Sequence, residues 1–176
     1  ASDDWEWSAL ATCENNVSSR AATLKEFQEE RYTYMQQPVE ILFVCTHNRC
    51  RSILGEVLAN ENYDGFFRAY SAGSQPAGEI HPLTLHYLKA RSLPTEGLQS
   101  QSWDEFDDHD FDWVITVCDS AAAEPCPLWM TDANRLHWSM RDPSKQEGDD
   151  KAVEGAFLEV MNALDQKLLE LKQALS

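Results

Sequence analysis

Ile41-Leu42-Phe43-Val44-Cys45-Thr46-His47-Asn48-Arg49-Cys50-Arg51-Ser52 decides how the chain is read. An apolar run ends in a cysteine, an arginine follows six positions later, and a helical pattern begins at once. That order describes a strand, a tight loop and a helix N-terminus. Such a loop turns successive backbone N–H groups inward and forms a nest for a tetrahedral oxyanion. Thr46, His47, Asn48, Arg49 and Cys50 form its rim, and the planar fork of Arg51 can hold two oxyanion oxygens. Cys45 lies at the floor, where the helix dipole and Arg51 are expected to favour thiolate over thiol. The stretch therefore predicts a sulfur nucleophile aimed at the central atom of a phosphate-like anion.

Outward from this loop, three more apolar runs read as strands: Phe66 to Ser71, Trp113 to Val117 and Arg135 to Trp138. With Glu40 to Val44 they make four continuous runs, the pattern of strands covered on both faces. Helical patterns separate them. Ser52 to Asn62 carries Ile53, Leu54, Val57 and Leu58 on one side, and Pro82 to Arg91 opens on a proline suited to a first helical turn. Ser102 reads as the N-cap of a short helix through Phe106. Val153, Phe157, Val160, Leu164, Leu168, Leu171 and Leu175 make a long stripe at helical spacing, capped by Asp149 or Asp150. Alternating strands and helices predict an α/β fold, a four-stranded parallel sheet flanked by helices on both faces. Ligands in such sheets bind at the carboxyl ends of strands, where Cys45 and Cys118 fall.

Residues 1–38 stand apart from this pattern and are read as an N-terminal extension; residues 39–176 form the domain. Ser18 to Tyr34 is expected to be a modest helix with Leu24, Phe27, Arg31 and Met35 on its inner face, ended by Pro38. Trp5 and Trp7 suggest an arm docked on the domain or on a neighbouring subunit, a route to oligomers.

The 176 residues suit one domain, and 43% hydrophobic content is enough for a core. No run is long enough to span a membrane. The acidic start, Ala1-Ser2-Asp3-Asp4-Trp5, does not read as a secretory signal. Five cysteines, an odd number without disulfide-scaffold density, point to free thiols in a reducing cytosol. A net charge of −16 argues against nucleic acid as a partner and requires any anion site to be local. The acidic run Asp104 to Asp110 lacks the glycine turn and closing glutamate of a calcium loop and reads as solvated. His81, His86, His109 and His137 have no metal-ligand spacing. His47 either donates to the anion, tunes Cys45 or is simply exposed. Cys50 reads as a packing residue turned away from the anion, and Cys13 has no role.

Three further features join the loop. Cys118 closes the third strand, Cys126 follows it with Pro125 and Pro127 on either side, and Asp142-Pro143 lies past the fourth. Asp142 is placed to protonate a leaving oxygen, or alternatively to cap a turn before proline. Two chemistries are open. A hydrolase needs only Cys45, whose phosphate thioester water would break. A reductase needs two more thiols: Cys45 attacks arsenate, Cys118 attacks the sulfur of Cys45 and releases arsenite, and Cys126 attacks Cys118 to free Cys45. An external dithiol protein then reduces the Cys118–Cys126 disulfide. If Asp119 to Glu124 is helical, the two thiols stand about 12 Å apart along it, whereas a disulfide needs α-carbons within about 7 Å. The segment must then unwind in turnover, and Pro125 and Pro127 weaken its end.

Val44 to Ser52, Tyr70-Ser71-Ala72-Gly73-Ser74, Val117-Cys118-Asp119 through Cys126-Pro127, and His137-Trp138 through Asp142-Pro143 resemble arsenate reductases of the low-molecular-weight tyrosine phosphatase fold, over about residues 39–176. The resemblance implies Cys45 as nucleophile, Arg51 as oxyanion ligand, Ser52 as a hydroxyl bonded to the thiolate, Asp142 as acid, and Cys118 and Cys126 as resolving thiols. It implies no tightly bound cofactor. In some relatives a potassium ion lies near the loop, and Asn48, Glu56 and Ser71 resemble residues of that site. The implied reductant is thioredoxin, or glutaredoxin with glutathione. A tyrosine phosphatase using the same loop is the alternative, but Asp142-Pro143 is followed by Ser144-Lys145-Gln146, with no tyrosine to sandwich a phenyl ring.

Overall fold

The computed structural model describes residues 23–29 and 37–176. Residues Pro38–Ser176 form one compact unit. Its strands are β1 (Val39–Cys45), β2 (Phe67–Gly73), β3 (Trp113–Thr116) and β4 (Asn134–His137). Its helices are α1 (Arg51–Asn62), α2 (Pro82–Ala90), α3 (Asp119–Ala123) and α4 (Asp150–Leu175), with single helical turns at Trp103–Phe106, Leu128–Thr131 and Pro143–Lys145. All pairings are parallel and the strand order is β2-β1-β3-β4. The sheet is thus wound in two directions from its centre, and the switch point lies between β1 and β3, the position where α/β sheets bind ligands.

Period-two alternation distributes the core. In register, Leu42 pairs with Tyr70 and Phe43 with Ser71, so Phe43 and Tyr70 face opposite sides. Phe43 lies under Gly55 of α1, where an added Cβ would meet its ring at 2.8 Å, and packs on Trp138. Tyr70 meets Phe106, His109 and Phe111, so the turn Trp103–Phe106 and an aromatic cluster cover the second face. The stripe of α4 buries Phe157, Val160, Leu164, Leu168 and Leu171, each contributing roughly 1.5–3 kcal/mol. Asp149, rather than Asp150, caps α4 by accepting the Ala152 N–H at 2.9 Å.

The sheet and its flanking helices match the sequence-based expectation, with small shifts at the ends and one exception: β4 is an edge strand whose Asn134, Arg135 and His137 are exposed, so it is not covered on both faces. β3 stops at Thr116, and Cys118 caps α3 instead of closing the strand. The cause is local: its sulfur accepts the Ala121 N–H at 3.4 Å, a capping bond that starts the helix. α3 ends at Ala123 because Glu124 turns extended ahead of Pro125.

In the extension, residues 23–29 are helical. Leu24 and Phe27 both lie on this helix. The rest of the expected helix, Trp5, Trp7, Cys13, Arg31 and Met35 lie outside the described residues.

Candidate active site

The loop from Cys45 to Arg51 is built by its carbonyls. Thr46 O accepts the Gln75 N–H at 2.8 Å, His47 O the Ala77 N–H at 3.0 Å, and Arg49 O the His81 N–H at 3.0 Å. Ser100 Oγ and Thr84 Oγ1 add bonds to the His47 and Arg49 carbonyls at 3.1 Å each. With these oxygens bound outward, the peptide N–H groups turn in, and Asn48 N–H points at Cys45 Sγ from 3.2 Å. Asn48 holds φ at 44°, a left-handed conformation that asparagine tolerates. Gly73 stands beside it, because a Cβ there would lie 2.6 Å from Thr46 O and 3.0 Å from Asn48 Cβ.

Behind the loop runs a chain of donors. Gln101 N–H donates to Asn48 Oδ1 at 2.8 Å, Asn48 Nδ2 donates to Ser52 Oγ at 2.9 Å, and Ser52 Oγ lies 2.9 Å from Cys45 Sγ. With its oxygen taking the Asn48 hydrogen, the serine hydroxyl is free to donate to the sulfur. Such chains polarise one another and favour negative charge at the end. Ser52 thus has the contact that the resemblance implied.

Burial nevertheless dominates and pushes the Cys45 thiol up. The Ser52 hydroxyl, then the Ser52 and Asn48 backbones, pull the other way, while Cys118 adds a further upward push. The expected lowering by Arg51 is therefore corrected. The reason is where the guanidinium points: Nη1 donates to Met140 O at 2.8 Å and Nη2 lies 3.5 Å from Asp142 Oδ2. Its charge is spent on those partners instead of on the sulfur.

Asp142 caps a turn and also reaches the cleft. Its Oδ1 accepts Ser144 N–H at 3.0 Å and Ser144 Oγ–H at 2.6 Å, capping the turn Pro143–Lys145. It also lines a cleft of about 300 Å³ with Cys45, Arg51, His81 and Lys145. His47 is exposed at the rim. Cys50 is buried, and that burial pushes its thiol up to about 12. It nevertheless lines the same cleft as Cys45, so the expectation that it turns away from the anion is corrected: the tight loop brings both cysteines to the cleft wall.

Cys118 is brought to the same place because β3 runs beside β1. Val117 N–H bonds Val44 O at 2.9 Å, and Cys118 Sγ comes within 3.6 Å of Thr46 Oγ1. Cys126 lies beyond α3, half-buried, with Sγ 3.5 Å from Met130 Sδ. The described cysteines are all free thiols.

Behind the loop, Ser71 and Asn48 are fully buried and Glu56 is half-buried. Ser71 Oγ donates to Glu56. Burial raises the Glu56 carboxyl to about 7, with the Ser71 bond opposing. A half-buried carboxyl beside the Ser71 oxygen, with no cationic partner among the described residues, offers the oxygen donors a monovalent cation takes. Sequence reasoning missed Gln75, Ala77, Thr84, Ser100 and Gln101, the braces of the loop. Their only sequence signal is the Gly/Pro-rich run Gln75-Pro76-Ala77-Gly78, a loop with no pattern of its own.

A cysteine in an oxyanion loop at the switch point of a parallel sheet, with arginine and aspartate at its mouth, defines a class of α/β proteins equipped for attack on tetrahedral oxyanions. The chain belongs to the low molecular weight phosphotyrosine protein phosphatase family, whose profile matches residues 40–176. An arsenate reductase of Bacillus licheniformis is 32% identical over 131 residues, covering 73% of this chain and 91% of the relative. Among solved structures, an arsenate reductase from Archaeoglobus fulgidus superposes with a TM-score of 0.62 at 26% identity, over 76% of this chain and 98% of that one. A thioredoxin-dependent arsenate reductase of Corynebacterium glutamicum has a TM-score of 0.60 at 28% identity, over 78% of this chain and 62% of that one.

Proposed function

We propose that the protein is an oxidoreductase that reduces arsenate to arsenite through Cys45, Cys118 and Cys126. Cys45 attacks arsenic in the cleft while loop N–H groups and Arg51 hold the oxyanion and Asp142 protonates the leaving oxygen. Arg51 and Asp142 are already paired there, so an incoming oxyanion would draw the guanidinium from the carboxylate and leave Asp142 free to carry a proton. Cys118 then attacks the sulfur of Cys45: an S–S bond forms, the S–As bond breaks, and its electron pair passes to arsenic. Cys126 attacks Cys118, and Cys45 is released as a thiol.

The observation that carries this reading is the approach of a second buried thiol, Cys118, to the residue next to Cys45. A hydrolase has no use for it. The arsenate reductase relatives support the same choice. A dithiol protein closes the cycle, and the thioredoxin-dependent neighbour favours thioredoxin over glutaredoxin with glutathione. Free thiols fit a reducing, cytosolic location. Glu56, Ser71 and Asn48 would hold a potassium ion, which would supply positive charge behind the loop.

The test is arsenate-dependent turnover with thioredoxin, thioredoxin reductase and NADPH, with peptide mass spectrometry of the oxidised enzyme. Arsenite release and a Cys118–Cys126 disulfide are expected, and Cys45→Ser abolishes both. Aryl phosphate hydrolysis that survives Cys118→Ser and Cys126→Ser, without arsenite, would identify a phosphatase instead.

A further inference from the structure

The second sulfur must lose a proton as it attacks, because thiolate and not thiol is the nucleophile. Cys118 is 3% exposed, so water does not reach it freely. Among the described residues, its only side-chain hydrogen-bond partner is Thr46, at 3.6 Å. Thr46 Oγ1 in turn donates to Glu124 Oε1 at 3.5 Å. A threonine hydroxyl carries one hydrogen. With that hydrogen directed at the carboxylate, the contact with the sulfur runs the other way, and Cys118 S–H donates to Thr46. Thiol, hydroxyl and carboxylate therefore line up donor to acceptor. Both contacts are long, as contacts used in turnover often are before substrate tightens them.

We propose that Glu124 takes the proton of Cys118 through the Thr46 hydroxyl during attack on Cys45, an inference that rests on the relay described above. As the Cys118–Cys45 bond forms and the Cys45–arsenic bond gives its electron pair to arsenic, Cys118's proton passes to Thr46 Oγ1. The proton already on Thr46 passes to Glu124, which becomes a neutral acid. Glu124 is only half-buried and returns the proton to water.

The other groups around Cys118 do not serve. Cys45 at the end of β1 is the electrophile. Asp119, on α3, is held 2.8 Å from His137 Nε2 at the end of β4. Hydrogen bonds from Ser139 and His137 hold its carboxyl below the usual range and make it a poor acceptor. Arg51 at the start of α1 is occupied by Met140 and Asp142. Glu124 stands where the chain leaves α3, extended ahead of Pro125, and reaches back over the helix to the loop. It acts on the reacting sulfur through Thr46 and is a positioning residue in that sense.

The experiment is a single turnover of full-length Glu124→Gln with arsenate, quenched over time, with the Cys45–Cys118 bridge quantified by mass spectrometry across pH. Glutamine still accepts the Thr46 bond but cannot take a proton. Bridge formation is expected to slow by about 10- to 100-fold near pH 7 and to recover as pH rises and hydroxide takes over removal of the proton. Glu124→Asp and Thr46→Ser should keep part of the rate, and Thr46→Val should reproduce the Glu124→Gln profile. Melting temperature and Cys45 alkylation by iodoacetamide report whether the fold and loop remain intact. An unchanged rate and pH profile in Glu124→Gln overturns the assignment, as does equal slowing at every pH, which marks a structural role. If the wild-type enzyme forms no Cys45–Cys118 bridge with arsenate, the relay itself falls and this step with it.

Discussion

The loop that carries Cys45 and the segment from Cys118 to Cys126 start from neighbouring strands and are held in different ways. The loop has its carbonyls bound by residues 75–84 and 100, its Asn48 fully buried, and a donor chain from Gln101 aimed at the sulfur. The second segment has one short helix, of which Ala121 alone is buried. The helix ends at Ala123, ahead of Pro125, and farther on Leu128 is 87% exposed. One region is fixed because a nest for an oxyanion works only when its donors are in place beforehand. The other is loosely held because Cys126 must travel to Cys118, and local opening is cheapest where few contacts are lost. Both sulfurs accept a backbone N–H, from Asn48 and from Ala121, but the side chain beside Cys45 is Ser52 and the one beside Cys118 is Thr46.

The sharpest way to break the comparison is Gly73→Ala. Its methyl would press on Thr46 O and Asn48, both fixed, so reduction should fall by ~100-fold and stability by about 2–3 kcal/mol. Turnover assays and urea denaturation measure the two effects, and near-normal values would show that the loop is softer than described. Asn48→Ala removes the bonds to Ser52 and Gln101 and strands the Gln101 N–H. A loss of about 2–4 kcal/mol is expected, with slower alkylation of Cys45 at neutral pH.

Glu56→Gln probes the polar group behind the loop. Burial raises the folded carboxyl to about 7, above the ordinary carboxylate range near 4.5. The folded state therefore binds more protons than the unfolded state between these values, and stability falls as pH rises through that window. Glutamine should flatten that fall, a difference on the order of 1–3 kcal/mol between pH 5 and pH 7.5 in potassium-free buffer. Identical slopes for both proteins would remove Glu56 from the account. The smallest stability change belongs to Cys126→Ser, within about 0.5 kcal/mol. Its kinetic effect is specific: one turnover, then arrest at a Cys45–Cys118 bridge visible by mass spectrometry. Hydrogen exchange completes the contrast, since amides of 119–124 should exchange well before those of β1. Equal protection would mean that the second segment does not open as the relay requires.

Much of the fold was legible because its signals are short-range. The continuous runs of β1 and β3, the stripe of α4 and the proline that opens α2 all state local preferences that packing then reinforced. Cys45, Arg51 and Ser52 were legible for the same reason, as one contiguous stretch spans strand, loop and helix start. The partner of Arg51 was not legible, because Met140 and Asp142 are about ninety positions away in the chain and no pattern near Arg51 points to them. The helix after β3 entered the sequence reading only as a condition, and its cap did not enter at all: a cysteine sulfur in that role has no compositional signal.

Sequence alone determined that a sulfur would stand at the end of a buried strand, enclosed by a loop that opens a helix, and that two more cysteines would follow. That information is local: it lies in hydrophobic periods, turn residues and spacing. Only the tertiary structure decided which of those sulfurs meet, what holds the loop and how its charges are spent. The strand order β2-β1-β3-β4 brings Cys118 to Thr46 across 72 residues of chain, and the bonds from Gln101 and Gly73's neighbours form only once the sheet has closed. Hydrogen-bond partners and burial are properties of the packed chain, so the direction of the Cys45 thiol's shift could be found only there.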